Sequence, residues 1–95
     1  MDEEWVPKGI DPTRAHPARR YNYWLGGKDN FAVDRESAEI VASAFPTVAL
    51  SARENRKFLQ RVVPFLAREA GISQFLDIGT GLPSAGAVHE VAQSI

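Results

Sequence analysis

Apolar positions along the chain first follow a helical repeat and later form a strand-like run. Tyr21, Trp24 and Leu25 are spaced to share one helix face, which predicts a short helix over residues 18–25. The pair of glycines that follows is placed to end this helix. Basic residues beside these aromatics could bind nucleic acid, but packing of the aromatic face against a core is favoured.

Two longer helices are predicted in the middle of the chain. The second covers residues 31–45, with Asn30 placed as its N-cap. Thr47 is placed to cap the third helix, whose apolar row continues for about five turns. Pro64 is expected to kink or split that helix, because its ring clashes with the preceding turn. Gly71 is placed just after its end.

Polar residues within these two helices are interpreted mostly as structural. Asp34, Arg35 and Glu36 are expected to form a solvated face of the second helix. Asn55 falls within the apolar row of the third helix. A hydrogen-bonded asparagine in the core is favoured there over an asparagine that faces a ligand.

The stretch over residues 74–83 predicts a strand followed by a glycine turn. Phe75, Leu76 and Ile78 form an apolar run typical of a strand buried in a parallel sheet. The glycines at 79 and 81 allow a sharp turn and the close approach of a ligand. Ser84 is placed to cap a helix that begins near residue 85. A turn from a strand into a helix is where open α/β sheets bind nucleotide-like ligands.

Asp77 narrows the class of ligand. The pattern acidic-x-Gly-x-Gly, from Asp77 to Gly81, resembles the first motif of class I S-adenosylmethionine (SAM)-dependent methyltransferases. A carboxylate at the strand end suits the cationic amino-acid tail of SAM. The dinucleotide pattern needs a third glycine, where this chain has Ser84, so a nicotinamide-dependent oxidoreductase is disfavoured. An ordinary strand–turn–helix with a solvated aspartate remains the alternative.

The overall composition limits the classes of protein to which the chain can belong. The chain has 95 residues, a formal net charge of −1 and no cysteine. The near-neutral balance disfavours a nucleic-acid partner, and the lack of cysteine excludes a disulfide framework. Two distant histidines, His16 and His89, form no metal motif, so no metal is expected. Without a signal peptide or an apolar span, we expect a cytoplasmic protein with no membrane partner.

Three segments are predicted. Residues 1–17 form a flexible arm rich in proline and charge, residues 18–71 a helical N-terminal extension, and residues 72–95 the beginning of an α/β domain. A parallel strand needs partner strands and crossovers, and none is predicted elsewhere. The fold class is therefore α/β and truncated: N-terminal helices, then the first strand, glycine turn and helix start of a Rossmann-like domain.

Four separated blocks, over residues 17–31, 55–59, 74–83 and 88–93, together resemble one known family. It is the SAM-dependent methyltransferase family found widely in actinobacteria, long described as a domain of unknown function. The resemblance covers nearly all of residues 17–95. It implies a doubly wound α/β methyltransferase domain with a helical N-terminal extension, and SAM as the small-molecule methyl donor.

The resemblance also implies a set of SAM-site residues. The methionine and ribose part would be lined by Asp77, Gly79, Thr80 and Gly81, and the adjoining wall shaped by Leu82 and Pro83. The segment from Tyr21 to Asn30 would fold over the pocket, with these candidate cover residues: Tyr21, Tyr23, Gly26, Gly27 and Asn30. The catalytic residues and the methyl acceptor stay unknown.

Two departures from the family pattern stand at Asn22, where Asp is usual, and at Ala87, where Asn is usual. Both positions are expected to weaken local hydrogen bonds or ligand contacts. Two hypotheses follow: an N-terminal portion of a SAM-dependent methyltransferase, inactive by itself, or a truncated, non-catalytic helical protein or interaction module. The oligomeric state is left open.

Overall fold

Four helices form the regular structure of the described residues, which are 5–79, 81–83 and 86–95 of the computed structural model. In chain order they are α1 (Pro17–Trp24), α2 (Ala32–Ala44), α3 (Val48–Arg68) and α4 (Val88–Gln93). Helix α1 packs mainly on α2, α4 packs on α3, and both α1 and α2 also contact α3. The three helices predicted before residue 71 are confirmed.

The start of α1 is set by proline and histidine. Pro17 occupies the first turn, where a missing backbone N–H removes no intrahelical hydrogen bond. His16 is the N-cap, and its Nδ1 accepts a hydrogen bond from the Ala18 N–H at 3.1 Å. The helix ends as predicted, because Gly26 takes the left-handed conformation with φ of 82°.

The predicted Asn30 cap of α2 is wrong. Phe31 is the N-cap residue, and its N–H donates to Oδ2 of Asp34 at 2.9 Å. This is the reciprocal half of a capping box, in which a side chain at the third helical position reaches back to the cap. Asn30 does not cap the helix because its side-chain amide bonds instead to Asn22 and Gly27.

The predicted solvated face of α2 is wrong for Asp34, whose side chain is fully buried. Its Oδ1 accepts from the His16 N–H at 2.9 Å, and its Oδ2 accepts from Nε of Arg19 at 2.7 Å as well as from Phe31. Burial by itself would raise the pKa of Asp34, but the hydrogen bonds from Phe31, Arg19 and His16 outweigh it and lower that pKa. One carboxylate thus joins the starts of α1 and α2.

Arg19 extends this cluster to the segment before α1. Its Nη2 donates to the carbonyl oxygen of Arg14 at 2.6 Å and to that of Asp11 at 3.3 Å. Its guanidinium also lies 5.3 Å from the centre of the Phe31 ring, a cation–π distance. The chain ahead of α1 has turns and no helix over residues 5–16, and Arg19 holds its last part against the fold.

Helix α3 runs without a break through Pro64, so the expected split does not occur. Thr47 stands at the predicted N-cap position but makes no side-chain cap bond. After the helix, Gly71 has a φ of 73° and the Ile72 N–H bonds to the Leu66 carbonyl at 2.8 Å. The glycine predicted to follow the helix therefore does close its C-terminal end.

The apolar core of the described residues is small. Its buried members are Ala38, Ala52, Val63 and Ala87. Larger apolar side chains on α2, at its C-cap and on α3 are exposed, among them Ile40, Phe45, Phe58 and Phe65. The buried polar residues are Asn22 in the second half of α1, Asn30 just before α2 and Asp34 in the first turn of α2. Polar contacts therefore carry much of the specificity of this fold.

The predicted strand over residues 74–78 is not formed in the described structure. Residues 71–78 have no regular secondary structure, and Leu76 and Ile78 are 87% and 78% exposed. An isolated strand leaves its backbone N–H and C=O groups without ladder partners, and the described residues supply no neighbouring strand.

The helix after the glycine turn begins at Val88, later than predicted. The expected cap, Ser84, and the expected start, Ala85, lie outside the described residues. Ala87 occupies the N-cap position with extended backbone and no side-chain cap bond. An asparagine at this position could supply that bond.

Within the described part of the chain, no helix has both the length and the apolar character needed to cross a bilayer. The same residues include no group of three or more His, Cys, Asp or Glu side chains placed to hold a metal ion.

We predict that Asp34→Asn lowers the free energy of unfolding by about 2–4 kcal/mol, because it breaks a buried ion pair and leaves donors unsatisfied. Urea unfolding followed by circular dichroism measures this. The pKa of Asp34 is lowered in the folded state, so its contribution is complete above the unfolded pKa of about 4 and is lost as pH falls below it. The difference between wild type and variant should therefore shrink at acid pH.

Glu36→Gln is the matched control, since Glu36 is exposed on the same helix and the charge change is the same. It should alter the free energy of unfolding by less than about 0.5 kcal/mol. Equal losses in the two variants, or a loss from Asp34→Asn that is the same at every pH, would contradict the assigned role of Asp34.

Candidate functional site

A cavity of about 600 Å³ lies between α1, α3 and the glycine turn. Its volume is within the range of about 300–1,000 Å³ that is usual for small-molecule sites. Helix α1 and its cap contribute His16, Pro17, Ala18, Tyr21, Asn22 and Leu25, helix α3 contributes Asn55, Arg56 and Leu59, and the turn contributes Gly79, Gly81 and Leu82.

The wall between α1 and α3 is fixed by a tyrosine and an asparagine. Nδ2 of Asn55 donates to the Tyr21 hydroxyl oxygen at 3.2 Å, and that hydroxyl lies 3.5 Å from the Ala52 carbonyl oxygen, to which it donates. Asn55 is exposed, so its predicted place in the core is wrong. Its alternative interpretation, an asparagine at a ligand site, agrees with its position on the cavity wall.

Arg56 joins α3 to the chain after the glycine turn. Its Nη1 donates to the Gly86 carbonyl oxygen at 3.3 Å. The residue is half-buried and lines the cavity. The described residues of the lining include no aspartate or glutamate, so Arg56 gives this cavity a positive side. An anionic ligand group is suited to that side.

The glycine turn is required by backbone conformation. Gly79 and Gly81 have φ values of 68° and 83°, in the left-handed region that L-residues with a Cβ rarely adopt. A Cβ built at either position would meet no other atom within 4 Å. The glycines thus shape the turn and leave open space beside it for a ligand.

The loop after α1 is held by Asn22, which is only 3% exposed. Its Oδ1 accepts from the Asp29 N–H at 3.0 Å and from Nδ2 of Asn30 at 2.8 Å. Gly27 packs directly on this amide, and a Cβ there would lie 2.6 Å from the same Oδ1. Arg35 Nη1 in turn donates to both oxygens of Asn30. The loop is therefore fixed against α1, which lines the cavity.

Three residues predicted for the donor site meet in this cavity, namely Gly79, Gly81 and Leu82. Asp77 does not line it. Its exposed side chain borders a separate hollow of about 480 Å³, next to residues that include Phe75 and His89. Pro83 is exposed, and Thr80 lies outside the described residues.

Among the predicted cover residues, Tyr21 lines the cavity and the others have different places. Tyr23 donates its hydroxyl hydrogen to Oε2 of Glu39 on α2, and this bond to a carboxylate raises the pKa of Tyr23. Gly26 makes the left-handed turn after α1, and Gly27 packs on Asn22. Asn30 is buried in the loop network and also borders a second cavity.

Sequence reasoning missed Arg56 and His16 as cavity residues. Arg56 lies within the block over residues 55–59 that resembles the family, so that block could have identified it. His16 precedes the first matching block, and no pattern in the sequence marks it. Its position follows from the contact between its backbone N–H and Asp34.

Comparisons with known proteins agree on one family. The family model described as S-adenosyl methyltransferase matches residues 3–95. A crystal structure of a DUF574 family protein from Streptomyces avermitilis is 47% identical, with a TM-score of 0.80 over 85% of this chain. A candidate methyltransferase from Thermobifida fusca is 53% identical, with a TM-score of 0.88 over 97% of this chain. No curated protein matched the chain.

The chain spans about a third of the length of these solved structures, 31% and 35% respectively. The high identity and TM-scores show that the helical arrangement described above is shared with them. They agree with a fragment of a methyltransferase, and the strand predicted over residues 74–78 is not shown, since the described residues of this chain contain no strand.

We predict that Gly27→Ala and Gly26→Ala affect the loop differently. Gly27 has no positive φ, so its substitution acts by pushing on the Asn22 amide and disturbing the bonds to Asp29 and Asn30. Gly26 faces open space, so its substitution costs only backbone strain of about 1–2 kcal/mol.

The side-chain amide resonance of Asn30 in nuclear magnetic resonance (NMR) spectra separates the two effects. It should shift clearly in Gly27→Ala and stay in place in Gly26→Ala. An unchanged Asn30 signal in Gly27→Ala would show that the contact between Gly27 and Asn22 does not hold the loop.

Proposed function

The chain belongs to the S-adenosyl methyltransferase family, and from this we propose that it forms the donor-binding N-terminal part of a SAM-dependent methyltransferase. S-adenosylmethionine is the cofactor of the family. The proposal is based on the cavity, which Gly79 and Gly81 line together with Tyr21 and Arg56.

The lining fits most of the chemical groups of SAM. Arg56 would pair with the carboxylate of the methionine moiety, and the amide of Asn55 would hydrogen-bond the ribose hydroxyls. The aromatic ring of Tyr21 and the side chain of Leu82 offer apolar surface to the adenine. SAM supplies an electrophilic methyl group on its sulfonium, and these residues would hold and orient it.

The ammonium of the methionine moiety needs an acidic partner. We propose Asp77 for this role, because it precedes the glycine turn and its carboxylate is exposed beside the neighbouring hollow.

Thr80 and Pro83 remain proposed members of the donor site through the family pattern. The loop containing Tyr23, Gly26, Gly27 and Asn30 is proposed as the cover, held in place by Asn22.

A second candidate function, a non-catalytic interaction module, is favoured by the exposed apolar segment over residues 72–78. Unpaired backbone groups and exposed side chains such as Leu76 and Ile78 could pair with another strand. Failure of the folded chain to bind S-adenosylhomocysteine would favour this candidate over the methyltransferase.

We predict that S-adenosylhomocysteine binds the chain at one site and that Arg56→Gln weakens binding about tenfold, through loss of a charge-assisted bond to the carboxylate. Isothermal titration calorimetry gives the dissociation constants. Arg53→Gln is the control, because Arg53 is exposed on the same helix and does not line the cavity.

Circular dichroism of each variant checks that α3 is intact. Equal affinity in wild type and Arg56→Gln would remove Arg56 from the site. Equal weakening by both substitutions would show that the effect comes from the change in overall charge and not from a contact between Arg56 and the ligand.

We predict that Asp77→Asn weakens the same binding about threefold, since an exposed ion pair contributes modestly. Glu69→Gln serves as the control, because it removes one exposed negative charge at the end of α3. If Asp77→Asn binds as tightly as wild type, the acidic residue is not part of the donor site in this chain.

A further inference from the structure

A second cavity, of about 730 Å³, lies on the other side of the α1 N-terminus. It shares three lining residues, His16, Ala18 and Leu82, with the cavity that contains the glycine turn. The two cavities therefore adjoin at these three residues. Methyl transfer needs donor and acceptor in contact, so a space adjoining the proposed donor site is the natural place for the acceptor.

The walls of this second cavity are rich in apolar and aromatic surface. Phe31 supplies a half-buried ring, and Ile10 and Trp5 contribute from the segment before α1. The Phe31 ring is held in place by the Arg19 guanidinium 5.3 Å from its centre. A planar, apolar ring of a ligand is suited to these walls.

The charged side chains favour an anion. Three basic residues, Arg19, Lys28 and Arg35, and one acidic residue, Asp29, line the cavity. Arg35 donates to both oxygens of Asn30, so the preference for an anion is assigned to Lys28. Asp34 pairs with Arg19 from the buried side, at 2.7 Å. Lys28 is exposed and stands at the rim of the cavity, where its ammonium can reach an anionic group of a ligand.

His16 adds a hydrogen-bond donor on the shared wall. Its Nδ1 accepts the Ala18 N–H, so in the neutral imidazole the hydrogen is on Nε2. His16 lines both cavities, so its Nε2–H is a candidate donor to an oxygen of a ligand.

We propose that this second cavity binds the methyl acceptor, and that the acceptor is a small phenolic acid, an aromatic ring that carries a carboxylate and a hydroxyl group. The hydroxyl oxygen would form a bond to the methyl carbon as the bond from that carbon to the sulfonium sulfur breaks, so that S-adenosylhomocysteine leaves and the hydroxyl proton passes to solvent. The inference rests on the proposed function, because it takes the glycine-turn cavity as the donor site. It adds the substrate class and assigns Lys28 as the residue that selects the anionic group.

The test uses 4-hydroxybenzoate as the probe and 4-hydroxybenzyl alcohol as its uncharged counterpart, each titrated into the 95-residue chain. Calorimetry gives the affinity, and amide shifts in NMR spectra locate the probe. Titration with S-adenosylhomocysteine on the same sample reports on the donor site separately.

We predict that 4-hydroxybenzoate shifts the amides of residues 28–31 and binds more tightly than the alcohol. Lys28→Gln should weaken its binding about threefold to fivefold, as expected for one exposed ion pair, and leave the alcohol unaffected. Lys57→Gln is the matched control, because Lys57 is exposed on α3 and pairs with Glu54 outside this cavity. It should change neither affinity.

Binding of S-adenosylhomocysteine without 4-hydroxybenzoate would overturn this inference and leave the proposed function standing. So would shifts confined to another surface, or equal effects of the two lysine variants. Binding of 4-hydroxybenzoate without S-adenosylhomocysteine would overturn the acceptor assignment together with the proposed function.

Discussion

The buried carboxylate of Asp34 is the constraint on which the rest of the described structure depends. It accepts hydrogen bonds from the backbone of His16 and Phe31 and from the side chain of Arg19. Those three groups set where α1 begins, where α2 begins and how the preceding segment returns to the fold. Because α1 and its cap line both cavities, the same carboxylate positions residues shared by the proposed donor and acceptor sites.

Polar contacts do much of the positioning because the apolar core is small. The buried alanines and Val63 bring the helices close, but they are too few to specify orientation by packing. The Asn22 network fixes the loop after α1, and Arg56 ties α3 to the chain beyond the glycine turn. These contacts hold the parts of α1 and α3 that line the cavity beside the glycine turn.

The helical spacing of apolar residues, with the glycines that follow α1 and α3, was enough to predict α1, α2 and α3. The glycine turn was predicted from the spacing of its glycines. The strand was predicted from apolar residues, but strands need partners that a local pattern cannot supply. A run of charged residues predicts a solvated face, but Asp34 lies three residues after Phe31, a spacing that fits a capping box. Asn55 and Arg56 reach the cavity through tertiary contacts that helical spacing alone does not encode. Asp77 belongs to the same sequence motif as Gly79 and Gly81, but in the structure it borders a different hollow.

The most direct test of the central claim, that α1, α3 and the glycine turn form one ligand site, is an NMR titration of the chain with S-adenosylhomocysteine. The amides of Tyr21, Asn55 and Gly81 should shift together along one saturation curve, because all three line the same cavity. Shifts concentrated at Ile72 and His89, in the hollow beside Asp77, with Tyr21 and Asn55 unmoved, would contradict the account.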